Sequence, residues 1–354
     1  MRWRREVGRL APFLSLLVVL VLVVASASAA SGPAKGVGHA LEVQERHSDR
    51  LLAKRGVVGT ATGRADDGTA VVKVYTANPG VRGIPGTLDG VRVDVDVTGR
   101  LLALHHRPGH GGGPGGGGDP GPDPGPTLSP TDRWPRPVPI GISTGNAGEC
   151  SAGTIGARVT GGGQVYALSN NHVYALENAA AVGSNVLQPG RFDTGCAIDP
   201  NDVLGQLSDY EPLRFNGQDN VVDAAIAVTS ESSLGNATPP DGYGVPRSAP
   251  VAAALGQDIQ KYGRTTGLTS GTVTGINATV NVGYRAGTAR FVDQVIVQNK
   301  RPFLKSGDSG ALAVTRPGRS PVGLLFAGDQ SGKFAIANRI DRVLSAFNVA
   351  VDGG

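Results

Sequence analysis

The chain has 354 residues, a formal net charge of +4 and an isoelectric point near 9.2. Charged residues make up 18% and aromatic residues 5%, while glycine occurs 54 times, a composition that predicts a β-rich protein with many turns. The mild positive balance comes without an arginine-rich run or an aromatic ladder, so we expect no nucleic-acid partner.

Residues 1–30 have the pattern of a signal peptide. Four arginines precede an apolar run over Leu10–Val24, and small residues follow it. The run of about 15 residues is shorter than the roughly 20 that a membrane-spanning helix needs. We expect cleavage near Ala27 or Ala29, a secreted product and no stable membrane span afterwards. An uncleaved N-terminal anchor is the alternative.

Residues 31–104 predict a small α/β domain. A helix is expected from His39 to Lys54, because Ala40, Val43, His47 and Leu51 share one face and Gly56 follows. Asp66-Asp67-Gly68 is a hairpin signal. The predicted strands are Val57–Arg64, Thr69–Thr76, Val91–Val97 and Leu101–Leu104. The domain shows nothing that resembles an active site.

The place of this domain, between a signal peptide and the rest of the chain, allows two interpretations. It is a propeptide that assists folding or inhibits the protein intramolecularly, or it stays attached and binds something else. Residues 105–136 predict a disordered linker rich in glycine and proline, which hold neither helix nor strand. Its edge carries His105, His106 and His110, which we expect to be solvated rather than bound to metal.

Residues 137–354 predict a domain of many short strands divided by glycine and proline turns. A short helix over Ile340–Phe347 is expected to close it. Within it, Gly307-Asp308-Ser309-Gly310 places a serine in a sharp turn between glycines. The N–H groups of Gly307 and Ser309 are candidate oxyanion donors, and Ser309 is a candidate nucleophile that needs a base.

His172 is the sole histidine after residue 110, so it is the candidate base. Asp223 opens an apolar run suited to a buried strand and is the candidate acid, with Asp219 as the alternative. The resulting chain order of His, Asp and Ser is that of the double β-barrel enzymes among Ser/His/Asp hydrolases.

The order, the local motifs and the spacing resemble the trypsin/chymotrypsin-like serine peptidases of the bacterial exported type, over residues 139–350. The motifs are Asn171-His172-Val173, Asp223–Ala227, Gly307–Gly310 and a hairpin that begins at Tyr262–Gly267. The resemblance implies a mainly β, chymotrypsin-like double β-barrel that acts as a serine endopeptidase on protein or peptide substrates, without a cofactor.

The resemblance also implies a substrate pocket with Phe303 at its floor and Phe326, Ala327 and Gly328 in its wall. Since Phe303 replaces the acid of the Arg/Lys-cleaving members, we expect a small or apolar residue before the cleaved bond. No clear activation sequence precedes the domain, so we do not expect a new N-terminus to pair with Asp308.

The chain has two cysteines, Cys150 and Cys196, which flank His172 in sequence. In an exported protein, one disulfide is the simplest interpretation, and two free buried thiols are the alternative. The leading functional hypothesis is an exported serine endopeptidase that works through an acyl-enzyme. A catalytically weak or inactive binding or scaffold protein at the cell surface is the main alternative, and an esterase is a minor one.

Overall fold

The computed structural model describes residues 36–104 and 128–354. The predicted signal peptide and most of the predicted linker, with its three histidines, lie outside the described residues. Among the helices of the described ranges, none has the length and apolar character that crossing a membrane requires.

The described residues form helices α1 (Val37–Leu52), α2 (Asn171–Tyr174) and α3 (Ile340–Phe347). The strands are β1 (Val57–Arg64), β2 (Ala70–Thr76), β3 (Thr87–Leu88), β4 (Val91–Val97), β5 (Leu102–Ala103), β6 (Ser143–Asn146), β7 (Gly153–Thr154), β8 (Ala157–Gly161), β9 (Gln164–Ser169), β10 (Asn185–Leu187), β11 (Val203–Tyr210), β12 (Asp219–Asn220), β13 (Ala225–Thr229), β14 (Asp258–Gly263), β15 (Gly267–Gly283), β16 (Thr288–Gln298), β17 (Leu312–Thr315), β18 (Pro321–Gly328), β19 (Phe334–Arg339) and β20 (Ala350–Val351).

The first barrel is a curled sheet in the order β20-β8-β9-β13-β11-β10-β6-β7. Its interior is apolar, with residues such as Ile155, Ala167 and Leu207 buried together. Helix α2 is a single turn that follows β9 directly, and it carries His172. His172 is therefore attached to the end of a central strand.

The second barrel closes on itself. Its six strands follow the order β16-β19-β18-β17-β14-β15, and β15 pairs with β16 again to complete the ring. The mainly β, double-barrel architecture expected from the sequence is confirmed. The predicted C-terminal helix has the expected bounds, and Val343 of α3 packs with Leu168 of the first barrel and Tyr262 and Leu312 of the second.

The N-terminal residues form a helix on a small sheet, as expected. Ala40, Val43 and Leu51 of α1 are buried against Val72 and Val74 of β2. Strand β2 pairs antiparallel with β1 and parallel with β4. The amphipathic pattern therefore located both the helix and the strands it covers.

This small sheet is continuous with the second barrel. Strand β1 pairs antiparallel with β15, placing Gly59 opposite Val280. Asn277 of β15 donates to the side chain of Gln44 on α1 at 2.9 Å. The described residues 36–104 pack as one layer of the larger sheet. The predicted domain boundary at residue 104 therefore stays a prediction.

The predicted strand over Leu101–Leu104 is present as β5. It pairs with β15 and β18 of the second barrel rather than with the other strands of the predicted N-terminal domain. Ala103 is opposite Ala327, and Leu102 is opposite Gly328. Strand pairing is set by the open edges that a fold offers, and the local sequence of residues 101–104 does not encode which edge is open.

Candidate active site

His172 and Asp223 form a buried pair in the first barrel. The Nδ1 atom of His172 lies 2.5 Å from Oδ2 of Asp223, and the backbone N–H of His172 donates to Oδ1 at 3.2 Å. Both side chains are fully buried. A carboxylate on Nδ1 fixes the tautomer that leaves Nε2 as the proton acceptor, and it stabilises the charged imidazole.

Two asparagines position the backbone of Asp223. Asn170 donates to the carbonyl oxygen of Asp223 at 2.7 Å. The backbone N–H of Asp223 donates to Oδ1 of Asn338 at 3.0 Å. Asn338 belongs to β19, so both barrels position the carboxylate. The alternative acid, Asp219, is about half exposed and lies 3.0 Å from Nε of Arg290 at the surface.

Ser309 is buried where the two barrels meet. Its carbonyl oxygen accepts from the N–H of Thr154 at 2.7 Å, and its hydroxyl donates to the carbonyl of Phe326 at 3.3 Å. The hydroxyl of Thr154 also donates to the carbonyl of Gly307 at 2.8 Å. The first barrel thus fixes the loop that carries Ser309.

Gly310 brings this loop against the strand that leads to His172. It has φ +94°, and a Cβ there would collide with the hydroxyl of Ser169 and the carbonyl of Thr154. Ser169 ends β9, three residues before His172. Glycine is therefore required at position 310 both for its backbone conformation and for the close approach of the two barrels.

Asp308 is buried, and its carboxylate is hydrogen-bonded by groups of the second barrel. Its carboxylate accepts from the backbone N–H groups of Thr265, Thr266 and Lys305, at 2.9, 3.1 and 2.8 Å. The buried ammonium of Lys261 lies 3.4 Å from Oδ2. These donors satisfy the carboxylate, and the expectation that no new N-terminus pairs with Asp308 stays a prediction.

The N–H of Gly307, a predicted oxyanion donor, has a partner from the N-terminal part of the chain. It donates to the carbonyl oxygen of Leu104 at 2.8 Å. The N–H of Leu104 donates to the carbonyl of Phe326 at 3.3 Å. The backbone of residues 102–104 therefore lies along β18, and its last described carbonyl points at the loop that carries Ser309.

The predicted pocket residues lie where Leu104 meets the second barrel. Phe303 is buried in an apolar cluster with Leu304 and Ala335, and Leu104 packs against that cluster. A Cβ on Gly328 would lie 3.3 Å from Cδ1 of Leu104, so the leucine side chain lies beside that glycine. The ring of Phe326 packs in the barrel core with its centroid 4.7 Å from that of Phe291, and its backbone carbonyl accepts from the N–H of Leu104.

Tyr284 is a site residue that the sequence analysis missed. Its hydroxyl donates to Oδ2 of Asp223 at 2.7 Å, and its ring lies edge-on to His172 with centroids 5.9 Å apart. Burial and the charge of Asp223 raise the pKa of Tyr284 well above 10. It sits in the turn after β15, and no local motif marks it.

The predicted disulfide between Cys150 and Cys196 is present. The guanidinium of Arg191 donates to the carbonyl of Cys196 and, at 2.9 Å, to the carbonyl of Ala147. The bond joins two loops of the barrel that carries His172. Its presence fits an oxidising compartment.

Known proteins resemble this chain over its C-terminal part. Residues 220–352 match the family described as the Nal1 C-terminal domain. Streptogrisin-A of Streptomyces griseus is 27% identical over 213 residues, which are 59% of this chain and 59% of Streptogrisin-A. The match thus spans less than two thirds of that relative.

Several solved structures also align. A glutamic-acid-specific serine protease, described as using a histidine triad in substrate binding, is 26% identical and covers 60% of this chain and all of its own, with a TM-score of 0.45. Protease A of Thermobifida fusca is 21% identical over 61% of this chain and all of its own, also with a TM-score of 0.45. The chain is thus similar in sequence to Streptogrisin-A and aligns with solved bacterial serine proteases.

Proposed function

We propose that this protein is an exported serine endopeptidase. In this proposal Ser309 is the nucleophile, His172 the general base and Asp223 the residue that orients His172. The N–H groups of Gly307 and Ser309 stabilise the oxyanion. The relationship to serine proteases, the disulfide and the signal-peptide pattern of residues 1–30 all support export and peptide hydrolysis.

The observation that carries the proposal is the peptide strand β5 bound beside the loop that carries Ser309. Strand β5 is added to the edge of β18, with the carbonyl of Leu104 on the N–H of Gly307. Strand addition is a general way to bind an extended peptide, because main-chain hydrogen bonds hold it independently of its sequence. The cleft therefore accepts a peptide backbone.

The proposed reaction follows from these positions. The hydroxyl oxygen of Ser309 attacks the carbonyl carbon of the substrate while His172 takes its proton. The proton then passes to the leaving amine, and water hydrolyses the acyl-enzyme by the reverse sequence. Two oxyanion donors supply electrostatic stabilisation, and the loss of one such donor costs about 10²–10³ in rate.

The nature of the pocket supports an apolar substrate residue before the cleaved bond. Phe303 is fully buried among aliphatic side chains, and Leu104 packs against the same cluster. An unpaired ammonium or guanidinium placed there would lose its hydration without a partner, which is costly. We therefore extend the proposal to small or apolar residues at that position.

We also propose that residues 36–104 inhibit the enzyme intramolecularly, because β5 occupies the position that a substrate would take. A role as a folding aid is compatible with this, since β1 adds to β15 of the second barrel. The presence of β5 in the proposed substrate position also favours the alternative function, a binding protein with little turnover.

Peptide hydrolysis by the full chain with Leu104→Asp, which weakens the bound strand, tests the proposal, and the variants below are made in that background. Ser309→Ala should lose about 10⁶ in kcat, and adding His172→Ala should cost little more, because triad residues act as a unit. Ser320→Ala, in a turn of the same barrel outside the cleft, is the matched serine control. Hydrolysis that persists in Ser309→Ala at the wild-type rate would contradict the proposal.

A further inference from the structure

We infer that Asp193, Arg264 and Thr265 are positioning residues for the proposed oxyanion site. They form a chain of hydrogen bonds that runs from the first barrel to the peptide group between Ser306 and Gly307. The N–H of that peptide group is one of the two proposed oxyanion donors. The inference therefore rests on the proposed function, and it adds the side chains that hold the donor in place.

The chain of contacts begins with a buried ion pair between the two barrels. Arg264 lies in the turn between β14 and β15, and its Nε donates to Oδ2 of Asp193 at 2.9 Å while its Nη2 donates to Oδ1. Two parallel hydrogen bonds of this kind fix the orientation of both planar groups. Each side chain is only 6% exposed. Removal of the aspartate charge would therefore leave a buried guanidinium without its countercharge.

Asp193 is held by the first barrel independently of Arg264. The hydroxyl of Ser143, on β6, donates to Oδ2 of Asp193 at 2.5 Å. The backbone N–H of Asp193 donates to the carbonyl of Gly190 at 2.9 Å. Three residues later in the chain, the disulfide of Cys196 ties the same segment to the loop after β6. The carboxylate is thus a fixed point against which the guanidinium is placed.

Arg264 lies directly beside Gly307. A Cβ added to Gly307 would lie 2.7 Å from Nη1 of Arg264, a distance that real Cβ atoms do not adopt. The backbone N–H of Arg264 donates to the hydroxyl of Thr154 at 3.1 Å, and that hydroxyl donates to the carbonyl of Gly307 at 2.8 Å. The side chain and the main chain of residue 264 therefore both restrict the glycine.

Thr265 extends the contact to the peptide group itself. Nη1 of Arg264 donates to Oγ1 of Thr265 at 2.9 Å, and the Thr265 hydroxyl donates to the carbonyl of Ser306 at 2.7 Å. The carbonyl of residue 306 and the N–H of residue 307 belong to one planar unit and point in opposite directions. A hydrogen bond that fixes this carbonyl therefore fixes the direction of the oxyanion donor.

A glycine donor needs such a restraint. Gly307 has φ +97°, and glycine has access to many other backbone conformations at little cost. Rotation of the peptide group between residues 306 and 307 would turn the N–H away from the cleft and present a carbonyl oxygen in its place. Such an oxygen would repel a developing oxyanion, whereas preorganised N–H donors stabilise it without reorganisation. The hydrogen-bonded chain supplies the restraint that the glycine lacks.

Steady-state kinetics of peptide hydrolysis tests the inference, with the full chain carrying Leu104→Asp as the parent protein. Asp193→Asn removes the charge and keeps the size of the side chain. We expect kcat to fall about 10²-fold, the cost of a misplacement of about 1 Å near the reacting groups. KM should change little, because an oxyanion interaction is made only in the transition state.

Inhibition by a peptide aldehyde gives a readout that a loss of stability would not move. The aldehyde carbon bonds to the hydroxyl oxygen of Ser309, and the resulting hemiacetal places its own oxygen in the oxyanion site, as the transition state does. The inhibition constant should therefore rise in Asp193→Asn by about the same factor as kcat falls. A peptide alcohol of the same sequence forms no hemiacetal, so its inhibition constant should not change.

Thr265→Val is the second variant, and it keeps the inference testable if Asp193→Asn does not fold. Thr265 is exposed, and valine keeps its shape while removing the hydroxyl that joins Arg264 to Ser306. We expect kcat to fall about 10-fold, the effect of one lost hydrogen bond. Adding Thr265→Val to Asp193→Asn should cost less than the product of the two effects, since both act on one peptide group.

Asp202→Asn is the matched control for the loss of charge. The Asp202 side chain is 3% exposed and accepts from Nε and Nη2 of Arg133 at 2.6 and 2.9 Å. That pair joins the segment before β6 to the turn before β11. The change should lower the urea midpoint, as Asp193→Asn does, but it should leave kcat and aldehyde inhibition at the parent values.

Folded Asp193→Asn and Thr265→Val that retain the parent kcat and aldehyde affinity would overturn the inference. An equal fall in kcat for Asp193→Asn and Asp202→Asn would also overturn it, because the effect would then follow stability. Both results leave the proposed function standing as long as Ser309→Ala abolishes hydrolysis. A folded parent protein that neither hydrolyses peptides nor reacts with a fluorophosphonate would mean that the proposed function has failed, and the inference with it.

Discussion

The carbonyl oxygen of Leu104 and the N–H of Gly307 lie 2.8 Å apart, and this hydrogen bond links the N-terminal part of the chain to the candidate oxyanion site. Gly307 adopts φ +97°, a conformation that aims its N–H toward the cleft. The N-terminal part of the chain therefore contacts the candidate oxyanion site directly. The predictions below concern the residues that hold this arrangement together.

The buried pair of Lys261 and Asp308 should be important for stability. Burial lowers the pKa of Lys261, and the charge of Asp308 opposes that effect. Lys261→Met would leave Asp308 buried without its countercharge, which costs about 3–5 kcal/mol in typical buried pairs. Urea denaturation measures this loss in the free energy of unfolding.

Arg92→Met is the control for that change. Arg92 pairs with Asp94 at 2.7 Å, but its side chain is 53% exposed. An exposed pair is worth about 0–1 kcal/mol. Equal losses in the two variants would contradict a special role for the buried pair.

Gly310→Ala should disrupt the loop that carries Ser309. The added methyl would meet Ser169 and Thr154 of the first barrel, so the barrels would have to separate or the loop would have to move. We expect almost complete loss of activity together with a lower melting temperature. Activity assays and thermal unfolding measure the two effects.

Gly68→Ala separates backbone strain from steric collision. Gly68 has φ +82°, but a Cβ there would meet nothing within 4 Å. That change should cost only about 1–2 kcal/mol for the left-handed conformation, with full activity. If Gly310→Ala is as mild as Gly68→Ala, then the close approach of the barrels is not required.

High pH should destabilise the fold through buried tyrosines. Burial raises the pKa of Tyr75, Tyr174 and Tyr284, whose unfolded value is about 10. The stabilisation is complete below about pH 10, where all states are protonated. Above it, the unfolded chain releases protons that the folded chain retains, so the free energy of unfolding falls.

Tyrosinate absorbance and circular dichroism, followed together against pH, check this prediction. The buried tyrosines should ionise only as the fold is lost, and Tyr75→Phe should lessen the fall in stability. Gradual ionisation of all seven tyrosines near pH 10 with the fold intact would show the burial argument to be wrong.

The disulfide should stabilise the first barrel. It closes a loop of 46 residues, for which the chain-entropy argument gives about 4 kcal/mol. Replacing both Cys150 and Cys196 by serine should lower the urea midpoint accordingly. Identical denaturation curves for the variant and the oxidised wild type would contradict this expectation.

Much of the architecture was predictable because it is encoded locally. Helix α1 follows from the spacing of Ala40, Val43 and Leu51, and the β4 strand follows from strict alternation over Val91–Val97. The pairing of His172 with Asp223 was predictable because few residue types suit that chemistry and the chain contains a single histidine after residue 110.

The contacts that the sequence did not reveal are non-local. Leu104 meets Gly307 across about two hundred residues, and Tyr284 meets Asp223 through a turn with no motif of its own. Both depend on which sheet edges and turns the folded barrels bring together. Neither side chain differs in type from the many leucines and tyrosines that serve only in packing.

Intact-mass analysis after fluorophosphonate treatment tests the central claim most directly. The purified full chain would be compared with Ser309→Ala and His172→Ala, and with Leu104→Asp to weaken the bound strand. We predict one adduct on Ser309 in wild type, faster labelling in Leu104→Asp, and none in the Ser309 and His172 variants. Folded wild type and Leu104→Asp that both remain unlabelled would contradict an assembled catalytic triad.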